Sequence, residues 1–179
     1  MDPFETDRLL VRQFTPEDAD DFYLFNSSEP VMRYIRPTKN RVESDAFLEE
    51  NFNLYLDGFP YGRMFVADKT TGKFVGTFSI LYLDGEADYH IGYAFMQEYW
   101  GKGYASELVK MGTQKHFERT NHSHLFAITQ PLNIASERVL LKNGFILKGD
   151  FILNNESKNL FVIARDGFQS NQTFMNKQF

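Results

Sequence analysis

The chain has 179 residues, enough for one compact domain with a single substantial core. Its 42% hydrophobic and 24% charged residues suit an ordinary soluble globule, and a net charge of −5 argues against a nucleic-acid backbone as main partner. The absence of cysteine excludes disulfides, thiolate nucleophiles and cysteine metal sites, and it fits a reducing, cytoplasmic home. No run approaches the roughly 20 apolar residues of a membrane span. The opening MDPFETDRLL carries acids where a secretory leader has a basic region.

In chain order, Arg8–Phe14 reads as a first strand, apolar at Leu9 and Val11 with arginines between. Thr15-Pro16-Glu17-Asp18 then offers an N-cap, a first-turn proline and acids at the positive end of a helix. That helix continues through Ala19, Phe22, Tyr23 and Phe25 and dissolves at Asn26-Ser27-Ser28; Pro30 starts a short turn through Ile35. A second helix, about Val42–Asp57, follows the polar loop Arg36–Arg41 and stops at Gly58. The periodicity then changes. Arg63–Asp68 and Phe74–Leu83 form a hairpin about Thr70–Lys73, and Asp84-Gly85 turns into a strand over Ala87–Met96. A helix from about Lys102 to Arg119 leads to the strand His124–Thr129 and a helix over Ile134–Asn143, closed by Gly144. Phe145–Leu153 and Leu160–Arg165 complete a last hairpin, and the Gln- and Asn-rich tail Gly167–Phe179 reads as loose. His116, His122 and His124 lack clear metal-ligand spacing and read as a solvated helix end and loop. The order β-α-α-β-β-β-α-β-α-β-β, with hairpins flanking one crossover, predicts a mixed α+β sheet in a single domain spanning residues 1–179.

The most informative stretch is HIGYAFMQEYWGKGYASE, His90–Glu107. It reads as a strand, a sharp turn at Gly101-Lys102-Gly103, and a helix opening directly from that turn. Two glycines one residue apart leave backbone N–H groups uncovered by side chains. Those donors lie at the positive end of the helix, so the turn is an anion cradle. A dinucleotide fingerprint is excluded because Ser106 stands where its third glycine belongs, and a Walker loop because Gly103 follows Lys102. A glycine helix start without any ligand remains the alternative for these residues alone.

The segment Tyr99-Trp100-Gly101-Lys102-Gly103-Tyr104-Ala105-Ser106-Glu107 resembles the acetyl-CoA pyrophosphate loop of the GCN5-related N-acetyltransferases (GNAT). Asn133–Phe145, reading N-x-x-S-x-x-x-L-x-K-x-G-F, is similar to the second signature of the RimJ/RimL-like branch, which acetylates ribosomal-protein N-termini. Glu5–Arg12 and Ile91-Gly92-Tyr93 resemble the same branch, and the likeness covers residues 5–165. One departure is Glu98, where the superfamily often has Gln or Arg. The resemblance implies a splayed, seven-stranded mixed sheet with about four helices and acetyl-CoA as cosubstrate, without a metal. It implies cofactor contacts at Tyr93, Phe95, Met96, Trp100, Gly101, Lys102, Gly103, Tyr104, Ala105, Asn133 and Ser136. Asn133 and Ser136 read equally as an N-cap and a polar helix residue when taken alone.

Acetyl transfer to an amine needs a neutral amine, donors for the oxyanion and a proton or donor for the departing thiolate. A backbone N–H near Phe95 is expected to serve the oxyanion. His90 falls on the face of its strand with Gly92 and Ala94, opposite Tyr89, Ile91, Tyr93 and Phe95. Relatives often carry glutamate there, so His90 keeps a proton acceptor at that point; the competing reading is a half-buried structural histidine. Glu156 is the second candidate base, with a solvated turn residue as its alternative. Leu140 occupies the position of the tyrosine that many relatives use for the thiolate, which leaves Ser136 for that task. The acceptor is expected to be a peptide N-terminus or a small primary amine. Its selection should fall to the first two helices, the loop Arg36–Arg41 and the hairpin Asn154–Asn159. Phe22, Phe25, Tyr34, Phe52, Tyr55, Phe59 and Tyr61 line a cleft or belong to the core. A CoA-binding sensor without catalysis and an enzyme placing another nucleotide phosphate on the turn are the competing functions. No nucleic acid or membrane partner is expected, and either a monomer or a homodimer is compatible with the chain.

Overall fold

A computed structural model describes residues 3–56, 62–83 and 88–168. Among them the strands are β1 (Phe4–Glu5), β2 (Leu9–Gln13), β3 (Gly62–Asp68), β4 (Phe74–Tyr82), β5 (Tyr89–Phe95), β6 (His124–Thr129), β7 (Ile146–Leu153) and β8 (Glu156–Ala164). The helices are α1 (Ala19–Ser27), α2 (Glu29–Met32), α3 (Arg41–Leu56), α4 (Tyr104–Arg119) and α5 (Ile134–Lys142), with 3-10 turns at Pro16–Asp18 and Gln97–Tyr99. The strands form one mixed sheet in the order β1-β2-β3-β4-β5-β6-β8-β7. β5 and β6 run parallel, joined at His90 opposite Phe126 and Ile91 opposite Ala127, whereas β2–β3, β6–β8 and β7–β8 are antiparallel. This is the expected mixed α+β architecture, with 8 strands in place of seven. The additional strand is β1, whose 2 residues are too few to show any alternation.

Two compact units divide the chain, Met1–Leu81 with Gly92–Leu108, and Tyr82–Ile91 with Val109–Phe179. In the first, Phe14, Phe22, Leu48, Phe65 and Ala67 form one cluster with Phe47, Phe52 and Phe74 packed against it. Phe25, Val31 and Met32 form another, against Phe74, Ala94 and Met96. Phe22 and Phe25 are therefore core residues, and Phe59 and Tyr61 lie outside the described residues. β2 passes into α1 through Asp18, whose carboxylate accepts from the Thr15 N–H at 2.8 Å and from Arg12 at 2.6 Å. In the second unit Leu83, Phe126 and Leu160 are packed with Ile128, Phe151 and Val162. α5 ends in a Schellman motif: Gly144 at φ 88 donates to the Leu141 carbonyl and Phe145 to that of Leu140.

Three boundaries differ from the sequence reading. α4 starts at Tyr104 because Gly101 and Gly103 hold positive φ values of 72 and 82, which end helical geometry there. β8 starts at Glu156, earlier than Leu160, because Asn154 and Asn155 (φ 52 and 61) make a two-residue turn that pairs Leu153 with Glu156 at once. The polar run Glu156–Asn159 hid that strand from any apolar pattern. The supposedly loose tail begins with a packed residue, since Phe168 is buried and its ring lies 5.8 Å from that of Phe117. The stops expected at Gly58 and Asp84-Gly85 lie outside the described residues, as does 169–179.

The histidine reading also changes. His116 is fully buried, and its ring lies 5.1 Å from that of His122, which stacks on Tyr89 at 4.7 Å. Tyr89 in turn stacks on Tyr82 at 4.6 Å. Burial, with His122 and Arg165 nearby, pushes the His116 pKa down to about 4. His122 is half-buried, and of the three histidines only His124 is exposed.

Candidate active site

β5 ends against β4, where the Met96 N–H donates to the Val75 carbonyl at 2.9 Å. Backbone groups alternate sides along a strand, so the Tyr93 and Phe95 amides point away from β4. The Phe95 carbonyl on that side is taken by the Trp100 indole N–H at 2.7 Å. The Met96 amide is therefore already used, whereas the Tyr93 and Phe95 N–H groups have the suitable direction. Gly76 permits this approach of β4 to β5: a Cβ there would lie 2.1 Å from the Ala94 oxygen.

From Trp100 the chain enters the glycine turn. Gly101, Lys102 and Gly103 are exposed, and both glycines occupy the left-handed region. A Cβ on Gly101 would meet no heavy atom within 4 Å, and one on Gly103 only Arg8 Nη2 at 3.5 Å. The glycines are thus demanded by backbone conformation, not by crowding, and the surface they leave is open. Behind them starts α4, 16 residues long, with its first N–H groups lacking intrahelical acceptors. This arrangement fits a pyrophosphate: uncovered donors, a positive helix end and space.

A clamp that the sequence reading did not single out holds the turn from below. Glu107, in the first turn of α4, accepts from the Thr6 hydroxyl, from the Arg8 N–H at 2.8 Å and from Arg8 Nε at 2.7 Å. Arg8 Nη1 donates to the Lys102 carbonyl at 2.9 Å, and the guanidinium lies 4.5 Å from the Tyr104 ring centroid. The Tyr104 hydroxyl reaches Asp68 at 3.1 Å. Partial burial raises the Glu107 carboxyl, but hydrogen bonds from Thr6 and Arg8 outweigh it and hold the group below the ordinary carboxylate range. The Thr6-Asp7-Arg8 stretch and Glu107 were visible only as parts of family-like strings; their partnership spans 99 residues and has no local signal. Lys102 places its ammonium 5.0 Å from the Tyr99 ring, and Ala105 follows Tyr104 in the first turn, half-buried.

The remaining candidates belong to the second unit. His90 is half-buried between the buried Tyr89 and Ile91, as the alternation predicts. Asn133 caps α5, its Oδ1 accepting the Ser136 N–H at 3.2 Å. A cap uses only the side-chain oxygen and leaves the amide donors outside it. Ser136 is half-buried one turn along. Leu140, at the vacant tyrosine position, is fully buried. Glu156 has a 64% exposed side chain, paired with Lys158 and hydrogen-bonded by Gln130 at 3.3 Å. Lys158 above all, then Gln130, hold its carboxyl below the ordinary range, which makes it a weaker base.

Residues 8–146 match the acetyltransferase (GNAT) domain family. YnaD of Bacillus subtilis (strain 168), described as an uncharacterized N-acetyltransferase, is 34% identical over 148 residues, covering 82% of this chain and 84% of that protein. A crystal structure of a GNAT-family acetyltransferase from Bacillus anthracis superposes with a TM-score of 0.80 at 26% identity, covering 92% of this chain and 99% of the other. Spermidine N-acetyltransferase from Vibrio cholerae, solved with CoA and spermine, shares the fold at a TM-score of 0.74 and 18% identity, covering 90% and 98% of the two chains. With the glycine turn, its helix and the mixed sheet in place, the chain belongs to the GNAT family of acetyltransferases.

Proposed function

We propose that the protein transfers acetyl from acetyl-CoA directly to a primary amine, a peptide N-terminus or a small molecule, with both substrates bound at once. The observation that carries this reading is the open turn at Gly101 and Gly103, held at the start of α4 by Arg8 and Glu107. Backbone N–H groups from Gly101 to Ala105 would receive the pyrophosphate, with Trp100, Lys102 and Tyr104 beside it. Tyr93 on β5 and Met96 just after it are further cofactor contacts, as are Asn133, which caps α5, and Ser136 within it. When bound, acetyl-CoA supplies the acyl group and a thiolate leaving group; no metal is needed.

The Phe95 N–H is the oxyanion donor in this reading, supported by the Met96–Val75 bond that fixes its direction. His90 is preferred over Glu156 as base, because an imidazole is a chemically suitable proton acceptor, whereas Glu156 is an exposed, lysine-paired carboxylate held below its ordinary range. Ser136 would donate to the thiolate where Leu140 cannot. The motifs at Glu5–Arg12 and Asn133–Phe145 favour the RimJ/RimL-like branch. A cysteine-free chain suits the cytoplasm, and among the described residues no helix is long and apolar enough to cross a membrane.

Isothermal titration with acetyl-CoA tests the first half of this reading, and thiol release across a panel of amines and peptides tests the second. Saturable binding with turnover is expected. Binding without turnover of any acceptor would favour the competing sensor reading, for which the buried Leu140 speaks. No binding would end both. His90→Ala is expected to lower kcat by roughly tenfold or more with acetyl-CoA affinity nearly unchanged; unaltered turnover would place the base elsewhere.

A further inference from the structure

Within the first unit, three cations gather around one aromatic ring. Phe47 of α3 has the Arg63 guanidinium 4.3 Å from its centroid, the Arg36 guanidinium at 4.7 Å and the Lys39 ammonium at 4.9 Å. Arg63 comes from β3, whereas Arg36 and Lys39 come from the loop between α2 and α3. All three are half-buried. Aromatic faces attract cations, but they do not neutralise them. Among the described residues no carboxylate forms an ion pair with any of the three. Arg36 donates to the neutral Asn26 Oδ1, while its Nε is buried with no hydrogen-bond partner. Burial and the neighbouring Arg63 lower the Arg36 pKa to about 10, and burial lowers that of Arg63 against the pull of Glu50, an exposed residue. Guanidinium groups held together, half-buried and without a counter-charge, are unfavourable unless an anion joins them.

The loop carrying these cations is firmly placed. The Arg36 N–H donates to the Met32 carbonyl at 3.2 Å and the Lys39 N–H to that of Asn26 at 3.0 Å. Met32 packs with Ala94 and Met96, the residues flanking Phe95 on β5. The loop that carries Arg36 and Lys39 is thus fixed, through Met32, to the residues flanking the strand end assigned above to the oxyanion.

We propose that Arg36, Lys39 and Arg63 form an anion subsite for the acceptor, so that the preferred substrate is a small primary amine carrying its own carboxylate or phosphate. The fork of a guanidinium matches both groups, and the buried Arg36 Nε is a donor that no protein acceptor uses. This assignment deepens the acetyltransferase reading and rests on it for the identity of the reactive amine.

The test compares O-phosphoethanolamine with ethanolamine, and γ-aminobutyrate with butylamine, as acceptors at saturating acetyl-CoA. The wild-type enzyme is expected to favour the anionic member of at least one pair by roughly tenfold or more in kcat/KM, and the pair that shows it tells phosphate from carboxylate. Arg36→Gln and Arg63→Gln should each pull that ratio toward one, mainly through KM. Lys39→Gln, a loop change outside the core, should do so to a smaller extent should either arginine variant fail to fold. Equal use of anionic and neutral amines by the wild type, or an unchanged ratio in folded variants, overturns the subsite and leaves acetyl transfer standing. If no amine is acetylated, calorimetric titration with O-phosphoethanolamine and succinate decides separately. Binding that weakens about tenfold in Arg36→Gln keeps the anion site while the acetyltransferase reading falls; no binding of either probe sinks the site as well.

Discussion

An alanine methyl at Gly76 would stand 2.1 Å from the Ala94 oxygen and 2.8 Å from the Phe95 Cα, both backbone atoms that no rotamer change can move. Gly76→Ala should therefore force β4 from β5 and cost about 3 kcal/mol or more, measured by urea unfolding. Gly101 presents the opposite case, with open space and φ 72. There alanine should cost only about 1–2 kcal/mol of backbone strain, while a larger loss should appear in acetyl-CoA affinity, read by calorimetry. Glu107 accepts from three donors, two of them on Arg8, whose side chain is 46% exposed. Solvent weakens the ionic part, so Glu107→Ala is expected to cost about 2 kcal/mol. It should also loosen the turn and weaken acetyl-CoA binding more than Glu107→Gln does. Of these residues the sequence announced the paired glycines, because backbone freedom is written in residue identity. Gly76 and the Arg8–Glu107 clamp gave no such sign, because their demands come from partners far along the chain.

At the level of elements, local chemistry was sufficient wherever it stood alone. The proline and acids after Thr15, the glycine after α5 and the alternation of β5 each name a boundary or a face in a few residues, and the structure agrees on all three. Local pattern failed at β1 and at the start of β8. The first is too short, and the second is polar on both faces, drawn into the sheet by its turn and by pairing with β7, from Leu153 opposite Glu156 to Asp150 opposite Asn159. That turn is testable. Asn154 and Asn155 sit at φ 52 and 61, so Asn155→Val should cost about 1–2 kcal/mol, whereas Asn155→Gly should be neutral or slightly stabilising in thermal unfolding. Because Glu156 follows the turn directly, a fall in kcat for Asn155→Val without any change for Glu156→Gln would assign the effect to hairpin position, not to a base.

For the molecule as a whole, the acid limb of stability is set by groups that burial and pairing have moved. His116 titrates near 4 in the folded chain against 6.5 when free, so below 6.5 the unfolded chain binds the extra proton. Its contribution is complete above 6.5 and is lost as the pH falls from 6.5 toward about 4. The loss is on the order of 3 kcal/mol. Asp18 and Glu107, both held below their ordinary values of 3.8 and 4.5, extend the decline in the same direction. Urea titrations at stepped pH should show this slope in the wild type and a shallower one between pH ~6.5 and ~4 in folded His116→Leu. An identical slope in both would remove His116 from the account.

The sequence by itself determined the class of fold, the place of the glycine turn and the family, because each depends on residue identity at short spacing: turn-formers, period and a cap. It also set the candidate bases apart from the chain and put His90 before Glu156. Tertiary structure decided what required distance. It tied Glu156 to Lys158, buried His116 beside His122, turned the Phe95 amide from β4 through the Met96–Val75 bond, and drew Arg36, Lys39 and Arg63 around Phe47. The reason is physical. A charge or a donor has its chemistry fixed by its neighbours and its access to water, and those are assigned only when remote segments pack.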